Sequence, residues 1–529
     1  MQVKNPVLRG FNPDPSILHV DGNYYIATST FEWFPGICIN HSKDLANWEI
    51  AGYALTDDNI LDMTGFDMSC GIWAPNLTYS SGLFYLVYTV VYTDRQRYKD
   101  TYNYLVTAGD VKGPWSRPVF LNCSGFDPSL FHEGEKKYLV NMVIDHRVNH
   151  ERFAGVDVQE YDVKAEKLIG QPVRISAGTS RPDTEGPNII KKDGYYYLTL
   201  AEGGTLYNHC TTALRSRNLF GPYEENPNNP VLTSVGQEGC LLQRAGHSQI
   251  MQGGDGRWYM AHLASRPIAQ CSILGRESSI QNIEWTSDGW FKLSANQTGK
   301  PEITFSVPAE VKQKRDSSEF VDFRDGIIPL SYMSLRRSFK TNGIELVNQK
   351  LRISGGASIM GKFRQGLIAR RQQSFECDFT AAMQFRPRHL NHIAGLLVYY
   401  NYDNNYYLKM SRDENGEFLC VSSTVNRKLN DSDPVYLPSA APQTIYLKVK
   451  IRKEDLIFSY SVNGMEFISL GTVLDMKNIS DERIEGNGFT GSMLGVNCCD
   501  VQGDGVYADF LSFDYREYGP EQEDDASRR

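Results

Sequence analysis

Gly194-Tyr-Tyr-Tyr197-Leu198 is one copy of a short pattern that decides the fold: a Gly- or Asp-bearing turn, then aromatic residues ending in tyrosine, then aliphatic residues. It recurs as Gly22-Asn-Tyr-Tyr25-Ile26, Gly82-Leu-Phe-Tyr85-Leu86, Lys136-Lys-Tyr138-Leu-Val140 and Gly256-Arg-Trp-Tyr259-Met260. The aligned tyrosines are 60, 53, 59 and 62 residues apart. Each copy is preceded by a second apolar strand across a Gly/Asp/Asn turn, which is a hairpin signature. Five near-equal all-β units of this length predict a five-bladed propeller of four-stranded sheets around a central axis. The units are too long for a helical solenoid, and long amphipathic helical periodicity is absent.

The propeller leaves more than 200 residues unused, as a 529-residue chain should, being too long for one hydrophobic core. Blade motifs stop near Leu293, and Pro301 to Arg315 reads as a Pro/Lys-bearing connector. From about Phe323 short alternating strands follow, such as Gly366–Arg370, Ala394–Tyr400 and Thr444–Lys450, the pattern of two packed sheets. The expected organisation is a propeller over 1–305, a linker over 306–320, a β-sandwich of jelly-roll type over 321–518 and an acidic tail over 519–529.

The chain is 41% hydrophobic and 22% charged, an ordinary folded composition, and no run of 18 apolar residues offers a transmembrane helix. A net charge of −9 argues against a nucleic-acid partner, since phosphate affinity needs a basic surface. Aromatic residues make up 12% and supply flat apolar faces of the kind sugars stack on. Ten cysteines without a C-x-x-C pair give no zinc signature and suit a reducing compartment. The start Met1-Gln-Val-Lys-Asn-Pro6 has no apolar leader region, so a cytoplasmic location is expected.

The repeat also points to chemistry. Eleven or twelve residues before each aligned tyrosine stand Asp14, Ala74, Asp127, Glu185 and His247. Equivalent positions in radial blades face one axis, so three carboxylates and a histidine should converge at one end of the channel. One carboxylate in a Pro/Ser-rich turn has an ordinary use as an Asx-type turn former. Three in phase, two of them in Asp-Pro-Ser, fit turns less well. Clustered carboxylates suit glycoside hydrolysis, in which one acid is kept protonated for the leaving oxygen and another is ionised.

Asn5-Pro-Val-Leu-Arg-Gly-Phe-Asn-Pro-Asp-Pro-Ser16, Gly71-Ile-Trp-Ala-Pro75, Ser124-Gly-Phe-Asp-Pro-Ser129, Thr184-Glu-Gly-Pro187, Ala201-Glu-Gly-Gly-Thr205 and Leu274-Gly-Arg-Glu277 resemble glycoside hydrolase family 43, in its β-xylosidase / α-L-arabinofuranosidase branch. The likeness runs on through Gly488-Phe-Thr-Gly491 and Ala508-Asp-Phe510, so it covers nearly the whole chain. It implies an inverting mechanism with Asp14 as general base, Glu185 as general acid and Asp127 as the residue that tunes and orients the acid. It also implies a substrate pocket built from Phe31, Trp73, Phe126, His247 and Arg276, closed by a sandwich loop carrying Phe489. Read singly, Phe31, Trp73 and Phe126 are equally suited to core packing.

The resemblance implies an exo-acting enzyme that releases terminal D-xylose from xylo-oligosaccharides, with α-L-arabinofuranosidase as the alternative. A non-catalytic sugar-binding propeller is the reading from another class, and the presence of Asp14 and Glu185 speaks against it. No cofactor is required. A structural or pocket cation such as calcium is compatible with His247, but a lone histidine defines no ligand set. The expected partner is the oligosaccharide, without nucleic acid or membrane, and a dimer or tetramer is compatible with the family. One position departs from the pattern: Ile144, in Asn141-Met-Val-Ile-Asp-His-Arg147, stands where xylosidase relatives carry Trp. Less stacking area there leaves the choice between xylose and arabinose open.

Overall fold

The computed structural model describes residues 1–518 apart from 96, 309, 439–442 and 487, so the expected acidic tail lies outside the described residues. Five four-stranded antiparallel blades follow one another along the chain, the fourth with one short extra strand. Their innermost strands are Ser16–Val20, Gly71–Ser80, Ser129–Glu133, Glu185–Lys192 and Gln243–Gln252. Each pairs with a second strand that carries the repeated tyrosine. Leu18 stands opposite Tyr25, Thr78 opposite Tyr85, Phe131 opposite Tyr138, Ile190 opposite Tyr197 and Met251 opposite Tyr259. The register is therefore the same in all five blades, as the sequence periodicity requires.

The ring closes through the first residues of the chain. Gln2–Lys4 pairs with Thr304–Ser306, and Leu8 bridges Ser278 in the fifth blade. Asn5 donates from its side-chain amide to Ile280 O at 2.7 Å and accepts from Ile280 N at 2.9 Å, replacing backbone bonds that an edge strand would leave open. This segment runs directly into Asp14, so closure of the ring also places the first carboxylate.

The second half is a sandwich of an eight-stranded and a nine-stranded sheet. It takes up its first strand at Glu319–Val321, paired with Tyr507–Glu517. Between the sheets lies an apolar core that includes Phe379, Leu396, Val449, Leu494 and Phe513. The two halves share a sheet. Trp33–Phe34, which follows Phe31 in the first blade, pairs with Leu335 and Ser334 and so becomes an edge of the sandwich. A second mixed core, holding Phe11, Phe31, Trp33, Trp73 and Phe126 with Leu367 and Tyr399, spans the seam. Burial of Trp33 between halves ties the wall of the propeller channel rigidly to the sandwich. Among the described residues no helix is long and apolar enough to cross a membrane.

Candidate active site

All five in-phase positions reach one chamber. Asp14, Ala74, Asp127, Glu185 and His247 line it together with Phe31, Trp73, Phe126, Thr205, Arg276 and Phe489. Asp14, Asp127 and His247 adopt left-handed backbone conformations, with φ of 55°, 51° and 46°. That conformation is costly for residues with a side chain, and Asp tolerates it best. At Asp14 and Asp127 it ends the turn before the inner strand, and at His247 it falls inside the inner strand where the pairing register shifts. Glu185 reaches the same place from regular backbone, with Gly186 taking the positive φ of 58°.

The carboxyls are almost fully buried, at 5% exposure for Asp14, 6% for Asp127 and 8% for Glu185. Their surroundings differ. Asp14 Oδ1 accepts from Arg276 Nη1 at 2.9 Å and lies 3.6 Å from His247 Nδ1, while Ser29 Oγ donates to Oδ2 at 2.6 Å. Burial alone would raise its pKa; the Arg276 guanidinium, His247 and the Ser29 hydroxyl outweigh burial and hold it below the usual carboxylate range. Asp127 and Glu185 are compensated less: His247 Nδ1 stands 4.0 Å from Asp127 Oδ2, and Arg276 acts on both only at longer range. Oxygens of both lie within 4.8 Å of one another and of a His247 nitrogen. Burial, then repulsion from Glu185 and Asp14, drives Asp127 well above its ordinary value. Burial pushes Glu185 up to about 8, with Lys99 opposing and Asp14 adding to the rise. The pair therefore retains a proton at neutral pH.

Neighbouring groups hold these side chains in place. Gly186 N donates to Asp127 Oδ2 at 3.1 Å, so the acid's own turn fixes Asp127. Fully buried Glu202 accepts from Thr184 Oγ1 at 2.9 Å, from Thr212 Oγ1 at 2.9 Å and from both N and Oγ1 of Thr179, which braces the turn ahead of Glu185. Trp73 donates from Nε1 to Ser69 O at 2.9 Å. Phe31, Trp73 and Phe489 pack mutually with ring centres 5.5–5.9 Å apart, and Phe126 stands edge-on to Trp73 at 5.3 Å.

Beyond the chamber opens a cavity of about 920 Å³, lined among others by Asp67, Asp94, Lys99, Arg152, Phe153, Asp183 and Tyr402. Among the described residues Glu185 is the one carboxylate that lines both spaces. The motifs did not point to Lys99. Its Nζ lies 4.4 Å from the centre of the Trp73 ring and 2.7 Å from Asp94 Oδ1, beside Glu185. Alternation along Tyr98-Lys-Asp-Thr-Tyr-Asn-Tyr104 was a usable signal, since Thr101 and Asn103 are buried while Tyr98, Asp100 and Tyr102 are exposed. Ile144 sits half-buried against the same core, and its register partner on the next strand is Phe153, which contributes an aromatic face to the outer cavity.

Donor atoms of Asp127, Glu185 and His247 are close enough together to suggest a cation. A cation bound to this trio would compete with the proton retained by Asp127 and Glu185.

An aromatic-walled chamber in which one buried carboxyl is favoured as the anion and a second as the acid, at one end of a five-bladed propeller, suits a glycosidase. Residues 3–291 match glycosyl hydrolases family 43, and residues 321–516 match the beta xylosidase C-terminal concanavalin A-like domain. The chain is 41% identical to a beta-xylosidase of Bacillus subtilis (strain 168), over 98% of this chain and 100% of that protein. It is 41% identical to xylosidase/arabinosidase 43B of Humicola insolens, over 97% and 98%. The crystal structure of xylan beta-1,4-xylosidase from Bacillus halodurans C-125 superposes with a TM-score of 0.95 at 40% identity, covering 97% of this chain and 100% of that one. The chain belongs to glycoside hydrolase family 43 and is a glycoside hydrolase acting on carbohydrate.

Proposed function

We propose that this enzyme is an exo-acting β-1,4-xylosidase that releases D-xylose from the non-reducing ends of xylo-oligosaccharides by single-displacement inversion. The observation that carries this reading is that Glu185 lines both the aromatic chamber and the outer cavity of about 920 Å³. A terminal sugar in the chamber would leave its glycosidic oxygen within reach of the proton on Glu185, while the rest of the chain lies outside. Asp14, ionised at the chamber floor, takes a proton from water as the water attacks the anomeric carbon from the opposite face. Asp127, itself driven up by burial and by its nearness to Glu185, accepts from Gly186 N and so braces the turn that carries the acid. Trp73, Phe31, Phe126 and Phe489 offer stacking faces, and Arg276 and His247 hold Asp14 as an anion. No cofactor enters these steps.

The relatives' names support the substrate class, and the xylosidase/arabinosidase among them supports α-L-arabinofuranosidase as a side activity. Ten free cysteines, nine of them buried, support residence in a reducing compartment. Initial rates on an aryl β-xyloside, an aryl α-arabinofuranoside and xylobiose, measured side by side, test the reading. Proton NMR of the first product from the β-xyloside is expected to show α-xylose. An initial β signal, or no release of pentose, would reject the assignment.

A further inference from the structure

The sandwich loop that carries Phe489 is fastened to the propeller by a buried ion cluster that takes no part in the chemistry above. Arg244 and Asp481 have side chains 0% and 1% exposed, and Glu482 14%. Arg244 donates through Nη2 to Asp481 Oδ2 at 2.9 Å, through Nη1 to Glu482 Oε1 at 3.2 Å and through Nε to Thr205 O at 3.0 Å. Tyr400 OH donates to Asp481, Ser272 donates to Glu482 from both N and Oγ at 2.7 Å, and Tyr207 OH reaches Glu482 Oε1 at 3.4 Å. Beyond this cluster the two backbones touch. A Cβ at Gly275 would lie 2.3 Å from Thr490 O, and one at Gly491 would lie 2.6 Å from Leu274 O.

Two features link the cluster to the reaction. Thr205, whose carbonyl Arg244 holds, lines both the chamber and the outer cavity. Arg276 is shared between the halves: Nη1 binds Asp14, and Nη2 donates to Phe489 O at 3.2 Å. A shift of the sandwich loop would therefore move a pocket wall and release one of the two anchors of the guanidinium that faces the base.

We propose that Arg244, Asp481 and Glu482 are positioning residues of the active site, holding Phe489 over the terminal sugar and Arg276 against Asp14, so that the sandwich governs the competence of a site whose acids all belong to the propeller. The proposal rests on the reading of Asp14 as base and of the chamber as the site of a single terminal sugar. A buried charge that loses its partner is costly. The test therefore uses the conservative variants Glu482→Gln and Asp481→Asn beside Arg244→Met, with thermal unfolding recorded for each.

For folded variants, assayed well below their unfolding temperature, KM on an aryl xyloside is expected to rise on the order of ten- to a hundredfold. The acid limb of kcat/KM moves to higher pH as Asp14 loses the full hold of Arg276, and the alkaline limb stays. Asp14 is also faced by His247 and His209, and by Asp127 and Glu185, none of which these variants alter. Glu482→Gln, which keeps its size and one acceptor oxygen for Ser272, is expected to show the smallest change. Lower unfolding temperatures with wild-type KM and an unmoved acid limb would overturn the proposal. So would wild-type kinetics in Glu482→Gln and Asp481→Asn if Arg244→Met fails to fold. Failure of the wild-type enzyme to release pentose would instead reject the functional reading.

Discussion

The two sides of the chamber hold the same functional group in opposite states. On one side Asp14 meets Arg276, His247 and Ser29 within 3.6 Å and is kept an anion. On the other, Asp127 and Glu185 meet each other, with one backbone N–H donated to Asp127, His247 4.0 Å from it and only partly offsetting charges from Lys99 and Arg276, and together keep a proton. Burial is nearly equal on the two sides, so burial does not make the difference. Charge neighbours decide which carboxyl is favoured as an anion and which as an acid.

Removal of the anion is expected to have the largest effect. Asp14→Ala should lower kcat on every substrate by about 10²–10⁴-fold or more, with the circular dichroism spectrum unchanged. A variant keeping a tenth of wild-type activity would break the contrast between the sides. Glu185→Gln tests the proton side and is expected to be selective. Xylobiose turnover should fall by about 10²–10⁴-fold, whereas an aryl xyloside with a good leaving group, which needs little protonation, should lose far less.

Asp127→Asn sharpens the comparison. Oxygens of Asp127 and Glu185 lie within 4.8 Å, so any charge on Asp127 repels one on Glu185; without it the alkaline limb of the pH–rate profile is expected at lower pH, while the acid limb set by Asp14 stays. An alkaline limb that does not move would mean that burial alone sets the acid.

The smallest effect concerns stability. The folded-state pKa of Glu185 lies above its unfolded value, so its contribution is present at pH below about 4.5 and is lost as pH rises through about 8. Glu185→Gln should therefore unfold ~1–2 °C higher than wild type at pH 9 and show little difference at pH 5. No pH dependence in that difference would argue that Glu185 ionises freely in the folded protein.

Residues that recur in phase are legible in the chain itself. Asp14, Ala74, Asp127, Glu185 and His247 are selected by counting back from five tyrosines, because equal positions in radial blades must face one axis. Phe31, Trp73, Phe126, Arg276 and Phe489 follow from family resemblance, and they line the same chamber. Lys99 and the Arg244 cluster carry neither signal. Lys99 lies on a hairpin, Leu83–Arg95 and Tyr98–Ala108, that is longer than those of the other blades and has no equivalent in the repeat. Arg244 meets its acids 237 and 238 residues further along the chain, across a seam that no periodicity marks.

The sequence by itself determined the number of blades, the register of each hairpin and the side chains that turn to the axis, because these follow from local turn chemistry repeated five times. Only the tertiary structure decided which neighbours hold each acid in its charge state, how Trp33 joins the propeller to the sandwich and which buried ions fasten the closing loop. Those properties depend on contacts between residues far apart in the chain, such as Arg276 with Asp14, 262 positions away, and on burial that exists only after both halves have packed.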